Sequence, residues 1–332
     1  MNKNLEIQKM RVLAILLVVI GHSIIIYSSD WNLYTTNNQV EFLNIIKKFI
    51  NIVQMPLFFI ISGYLYKRTC EKYSYSHIIE AKIKRILVPF ISTIMLWMVP
   101  IRIVANYEPY QNSTYINAIK NAIIGIDSGH LWYLPTIFAL FIIIYPINKL
   151  SKEKRKIKNI ITIFLGILSI LSYKMPGILF ISSICEYLFY FYIGFLFEKN
   201  NQKENKIFNI SIIVVTIILN IITIFYIKNE ILVRILRLIT AIFEIYSICI
   251  ICKKVKMNKI IEIIDKNSFA IYLLHSPLIY LMYDNFANIN PMILVISNIV
   301  ISITIPILIA NILRRIKLNF LIGEGIKWKY QY

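Results

Sequence analysis

The chain has 332 residues, 58% of them apolar and only 16% charged, with a mean hydropathy of +0.66. A soluble domain of this length carries about 25% charge, so the composition excludes one and requires a membrane. The formal charge of +19 would suit a nucleic-acid partner, but its distribution along the chain removes that reading.

Apolar stretches long enough to cross a bilayer recur ten times, at 11–28, 48–66, 86–106, 131–149, 159–175, 179–197, 207–227, 232–252, 268–284 and 292–313. The first follows Lys3, Lys9 and Arg11 as a signal peptide would. Its apolar run is too long and lacks an Ala-x-Ala-like site, so it reads as an uncleaved helix. The fifth and sixth share a tight connection around Pro176-Gly177 and could instead form a hairpin that does not fully cross; the charges favour ten crossings. The longest connection, about 107–130, passes Glu108, Pro109, Asn112 and Asp127 to reach Gly129. A loop of that length is often a lid or binding loop. No internal repeat is visible, which weakens an inverted-repeat transporter. The expectation is one all-α polytopic membrane domain over residues 1–332, with no soluble domain.

The connections alternate in basic content. The N-terminus through Arg11, 67–85, 149–158, 199–206, 253–266 and the tail from Arg314 hold 28 of the 36 cations. Only Lys47, Lys48, Arg102, Lys120, Lys174, Lys228, Arg234 and Arg237 lie elsewhere. The positive-inside rule puts both termini in the cytoplasm. With the acids counted, Glu198 at the edge of the fourth connection included, the cytoplasmic parts carry the whole +19 and the rest is neutral. Topology explains the charge, and no nucleic acid is needed.

Arg11 and His22 are the most informative pair. Eleven residues bring them about 20° past three full turns, on one helix face and roughly 16 Å apart. An ionisable group that deep in the membrane is functional by default, and an imidazole suits a general base. A guanidinium at the mouth and a base inside suit a donor with an anionic head and a long reactive arm. Lys84 and Arg85, followed by Pro89, are placed to hold phosphates beside Arg11; for Lys82, ordinary positive-inside charge is the better explanation. In Phe58-Phe59-Ile60-Ile61-Ser62-Gly63-Tyr64-Leu65, Gly63 permits close approach and Ser62 offers a hydroxyl, although helix packing weighs more for both.

His130-Leu131-Trp132-Tyr133-Leu134 opens the fourth stretch at the outer face. An aromatic belt accounts for Trp132 and Tyr133, while an acceptor contact weighs equally for His130. His275 is expected roughly 10 Å in from the cytoplasmic end of the ninth stretch, where Pro277 frees the carbonyl of Leu273. Glu186 and Glu244 are the deepest acids and need partners or a wet cavity; Arg237 lies seven residues before Glu244. Cys249 and Cys252 have CxxC spacing without a nearby His, so no metal is expected.

These residues together resemble acyltransferase family 3, the bacterial integral membrane O-acyltransferases. The matching pieces are Arg11-x10-His22, the run at 58–65, Lys84-Arg85 with Pro89, His130-Leu-Trp-Tyr-Leu and Tyr272-Leu-x-His275. The chain looks most like members that O-acetylate surface polysaccharides or glycolipids. The resemblance implies acetyl transfer from cytoplasmic acetyl-CoA to a carbohydrate hydroxyl, in the bacterial cytoplasmic membrane and among membrane lipids. On it, His22 would be the catalytic base or acyl carrier, and Arg11, Lys84, Arg85, Ser62 and Gly63 would face the donor. It leaves His130, Trp132, Tyr133, His275, Glu186 and Glu244 as acceptor or cavity candidates, and is compatible with a homo-oligomer. A transporter of glycans or small polar solutes, or a noncatalytic partner of an envelope synthase, stand as alternatives.

Overall fold

A computed structural model describes residues 3–28, 39–151, 154–197 and 205–325. Helix dominates, with no strand among the described residues. The helices are α1 (Lys3–Ile25), α2 (Glu41–Lys72), α3 (Tyr75–Val104), the short α4 (Tyr115–Ile123), α5 (Gly129–Ser151), α6 (Arg155–Lys174), α7 (Ile178–Leu196), α8 (Lys206–Tyr226), α9 (Glu230–Lys254), α10 (Lys259–Phe286) and α11 (Pro291–Arg315). Nine of these are long and apolar enough to cross a membrane. The protein is a polytopic helical membrane protein.

The tenth crossing expected at 268–284 falls on α10, which is long enough but too polar to count by composition. Its 28 residues extend about 42 Å. The helix begins at Lys259 and carries Asp265, Lys266, Asn267 and Ser268 before its apolar part. Ala270 through Tyr280 are nearly all buried against protein. A helix wrapped by other helices does not have to match lipid, so apolarity underestimates it. His275 stands sixteen residues from the start of α10, about 24 Å along its axis, and seven from Ser268, where the expected stretch begins.

Length and composition favour two crossings over a hairpin at 159–197, since α6 and α7 are each long and apolar enough to span. The start of α7 turns through left-handed Leu179 and Phe180 (φ 54° and 61°). Leu179 N–H donates to the Ile124 carbonyl at 2.8 Å, and Ser182 Oγ to the Ser172 carbonyl at 2.9 Å. These bonds offset the cost of two non-glycine residues at positive φ.

Helix α3 contains two π turns, Ile83–Leu87 and Ile94–Met98, each ending just before a proline (Pro89, Pro100). Val88 N–H reaches back to Ile83, and Val99 N–H to Ile94. A proline cannot supply the usual donor to the carbonyl four residues earlier, and widening the turn keeps the helix continuous.

Helices α2 and α7 touch backbone to backbone. A Cβ on Gly63 would stand 2.0 Å from the Phe191 carbonyl oxygen, and one on Gly194 2.1 Å from that of Ile60. Gly63→Ala is expected to cost about 3 kcal/mol, read as a lower thermal midpoint in detergent. An unchanged midpoint would mean that the two helices cross more loosely than this.

The start of α1 and the end of α11 share one face of the bundle, here the basic face. There Arg314 grips Glu324 through Nε and Nη2 at 2.8 and 2.6 Å and donates from Nη1 to Asn267 Oδ1 at 2.8 Å. This folds the short turn Asn319–Ile322 and Gly323 back beneath α3 and α10. Gly323 sits at φ 71°, where a Cβ would be 2.6 Å from the Arg85 carbonyl oxygen.

Candidate active site

Pro277 leaves the Leu273 carbonyl without its helical donor, and the carbonyls of this turn organise the site. His130 Nε2 donates to the Leu273 carbonyl at 3.0 Å, and Trp97 Nε1 to that of Leu274 at 2.9 Å. The Tyr272 hydroxyl returns the contact by donating to the His130 carbonyl. The start of α5 is thereby stitched to the middle of α10. His275 folds back on its own helix, with Nδ1 2.9 Å from the Ile271 carbonyl and 2.8 Å from that of Tyr272.

Across from it, His22 Nδ1 lies 2.7 Å from His275 Nε2, the two rings tilted by only 8°. The His130 ring completes a trio, its centroid 4.9 Å from that of His275 and 6.4 Å from that of His22. Residues 253 positions apart in sequence thus form one cluster deep in the bundle.

A cavity of about 620 Å³ opens on the basic face. Five cations surround its mouth, Arg11, Arg68, Lys82, Arg85 and Lys266, against the carboxylates of Asp265 and Glu324. Arg11 holds Asp265 with two hydrogen bonds of 2.7 and 2.8 Å, yet stays about a third exposed. Lys82 Nζ rests 3.7 Å over the Phe141 ring. Deeper walls are apolar: Leu65, Ile86, Ile137 and Phe141. At the inner end stand Phe58, Ser62, Tyr133 and Tyr272, with Ser62 Oγ 3.2 Å from the Tyr133 hydroxyl. The Tyr272 ring centroid is 5.7 Å from His130 and 6.2 Å from His275. A mouth rich in cations therefore leads, through an apolar shaft, to Tyr272, whose ring backs onto the imidazoles of His130 and His275.

The family model described as an acyltransferase domain matches residues 4–311 of the 332. The chain belongs to acyltransferase family 3. No curated protein and no solved structure matches it. Family membership makes the protein a membrane acyltransferase in general and gives no support to the transporter alternative.

Within this family member, the expected donor residues divide. Arg11, Arg85 and Ser62 line the cavity. Lys84 turns outward and pairs with Glu80 at 2.5 Å on the exposed surface. Gly63 faces the Phe191 backbone. Arg68, Lys82 and Lys266 line the same cavity and were not among the candidates. For Arg68 the signal was present, because Ser62, Leu65, Arg68 and Thr69 follow one face of α2.

Tyr133 closes the cavity, whereas Trp132 turns away toward Phe59 and Tyr187, with centroids at 6.3 and 5.2 Å. Glu186 lies on that side, beside Tyr187 and facing Arg234 and Arg237 of α9. Glu244 belongs to a different contact. Asn220 Nδ2 donates to its Oε1 at 3.1 Å, within a polar ladder between α8 and α9 that includes Thr216–Ser247 and Thr223–Thr240. Such interhelical bonds hold helices together where water is absent.

Sequence reasoning also missed a polar row next to His22. Glu41, Asn44, Lys47, Asn51 and Gln54 follow one face of the far half of α2. Gly21 makes room for it: a Cβ there would lie 2.8 Å from Gln54 Oε1 and 3.1 Å from Lys47 Nζ. Both Lys47 and Gln54 are buried, and Gln54 Oε1 has no hydrogen-bond partner among the described residues. On α2 this row ends one turn before Phe58, where the basic-face cavity ends from the other side.

Proposed function

We propose that this protein is an O-acyltransferase of a bacterial cytoplasmic membrane, moving an acetyl group from acetyl-CoA to a hydroxyl of a cell-envelope glycan or glycolipid. The supporting observation is the cavity, whose lining of five cations and apolar side chains reaches Tyr272, a ring 6.2 Å from His275, the partner of His22. On this reading the basic face is cytoplasmic, as the distribution of Lys and Arg favours. Arg11, Arg68, Lys82, Arg85 and Lys266 suit the phosphates of the donor, and Leu65, Ile86 and Ile137 suit its pantetheine arm. Tyr133 and Tyr272 stand between the cavity and the imidazoles, so the arm reaches His22 by displacing one of these rings.

His22 takes the proton of the acceptor hydroxyl as its oxygen attacks the thioester carbonyl carbon. The carbon–sulfur bond breaks, and His22 returns the proton to the leaving thiolate. An acyl-histidine route would use the same nitrogen as nucleophile. Lys47 and Gln54, flanking Gly21, are the polar groups an acceptor hydroxyl meets next to His22.

Purified protein in nanodiscs, incubated with labelled acetyl-CoA and envelope glycan extract, is expected to label the glycan. Arg85→Ala should raise the KM for acetyl-CoA about 10-fold or more, the loss of one charge-assisted contact. Absence of both glycan label and protein-dependent thiol release would refute the reading, and an unchanged KM would remove the donor from this cavity.

A further inference from the structure

We infer that His275 is a positioning residue that holds His22 in the tautomer with its proton on Nδ1, leaving His22 Nε2 as a bare base. Only the catalytic consequence rests on the acyltransfer reading of His22; the tautomer assignment stands on geometry.

A carbonyl oxygen can only accept, so the His275 nitrogen placed between the Ile271 and Tyr272 carbonyls must carry a hydrogen. In a neutral imidazole the other nitrogen is then a lone pair. That nitrogen, Nε2, lies 2.7 Å from His22 Nδ1, so the hydrogen between them belongs to His22. His22 Nε2 is left unprotonated, the form a general base needs.

The assignment is held in place from outside the pair. Five consecutive carbonyls of α10 accept from side chains: Ile271 and Tyr272 from His275, Leu273 from His130, Leu274 from Trp97, and His275 from Ser302 Oγ at 3.4 Å. Pro277 removes the backbone donor of the Leu273 carbonyl, which His130 replaces. His275 is fully buried, so its ring has little freedom to turn over and exchange its nitrogens. The alternative, a doubly protonated His275, would bury a charge. Lys47 and Arg102, the charges that bear on His22 and His130, are positive and oppose it.

His130 provides an internal contrast. Its Nε2 donates to Leu273, so its Nδ1 is the lone pair, and that atom is buried without a partner among the described residues. The trio should therefore contain two tautomers in a fixed pattern.

The chain has four histidines, which makes the assignment directly readable. The full chain, labelled with 15N-histidine in nanodiscs near neutral pH, is expected to show protonated Nδ1 and bare Nε2 for His22 and His275, and the reverse for His130. His275→Ala should move the His22 proton off Nδ1 and lower kcat about 100-fold, with the KM for acetyl-CoA unchanged. His275→Gln, which again offers His22 an acceptor, should recover much of both. A His22 carrying its proton on Nε2 in the parent protein overturns the inference, and this spectrum needs no variant to fold. A His22 tautomer indifferent to His275→Ala overturns it as well. Tautomers as expected, with turnover untouched by either His22 or His275 substitution, would uphold the assignment and sink the acyltransfer role of His22.

Discussion

His22→Ala is expected to give a protein that still inserts and folds but transfers acyl groups 10²- to 10⁴-fold more slowly, the range a positioned general base contributes. The fold should tolerate the change. Although His22 contacts His275, the five carbonyl contacts that shape α10 come from His275, His130, Trp97 and Ser302. His130→Ala should behave differently, since it leaves the Leu273 carbonyl buried without its donor and destabilises by about 1–3 kcal/mol. Cells carrying each variant can be compared for glycan O-acetyl content alongside the thermal midpoint of the purified protein. Normal O-acetyl content with His22→Ala would end the proposed mechanism. Equal instability in the two variants would reduce His22 to a packing residue.

What the sequence allowed depended on whether a signal was local. Arg11 and His22 lie within one helix, so a 3.6-residue period was enough to align them, and Arg11 does line the cavity that Tyr272 separates from His275. The partner of His22 could not be read the same way, because His275 is 253 residues distant and no local pattern encodes that meeting. The polar start of its helix was hidden as well. Apolarity marks helix surface that faces lipid, whereas the first turns of α10 carry Asp265, Lys266 and Asn267, one of which binds Arg11 and another Arg314.

The basic opening of α3 was legible in part. Lys82 and Arg85 are three residues apart, so a count of 100° per residue puts them on one helix face and Lys84 opposite. The count alone cannot decide which face turns inward. The structure turns Lys82 and Arg85 into the cavity and Lys84 to the surface. The return of Gly323 and Glu324 to the cavity wall was equally hidden, since a tail beyond the last helix showed only its charge.

Arg102 was counted among the stray cations, and its loss is expected to be the most damaging to stability. It is 1% exposed at the far end of α3. Its guanidinium carbon lies 4.5, 5.8 and 5.1 Å from the rings of Tyr107, Tyr110 and Tyr280. Its Nη1 donates to Asp127 at 3.2 Å and to the Tyr110 hydroxyl at 3.3 Å, and its Nη2 to the Tyr280 hydroxyl at 3.4 Å. One side chain therefore ties the long connection at 105–128 to both α3 and α10. It also lies where a Cβ on Gly129 would go, 2.1 Å from Nη2, and Gly129 precedes His130. Arg102→Ala strips Asp127 of its cation and empties a box of three tyrosines; breaking a buried pair this way costs about 3–5 kcal/mol. Arg102→Lys should recover only part, because an ammonium cannot match a planar fork against a carboxylate and two hydroxyls at once. Asp127→Asn should be mildest, since Asp127 is 24% exposed and the tyrosine faces still hold the guanidinium. Thermal midpoints in detergent should fall in the order Arg102→Ala, Arg102→Lys, Asp127→Asn, the first falling furthest. A loss below about 1 kcal/mol for Arg102→Ala, typical of an exposed ion pair, would mean that the connection is anchored by its other contacts, such as Asn106 with Asp284.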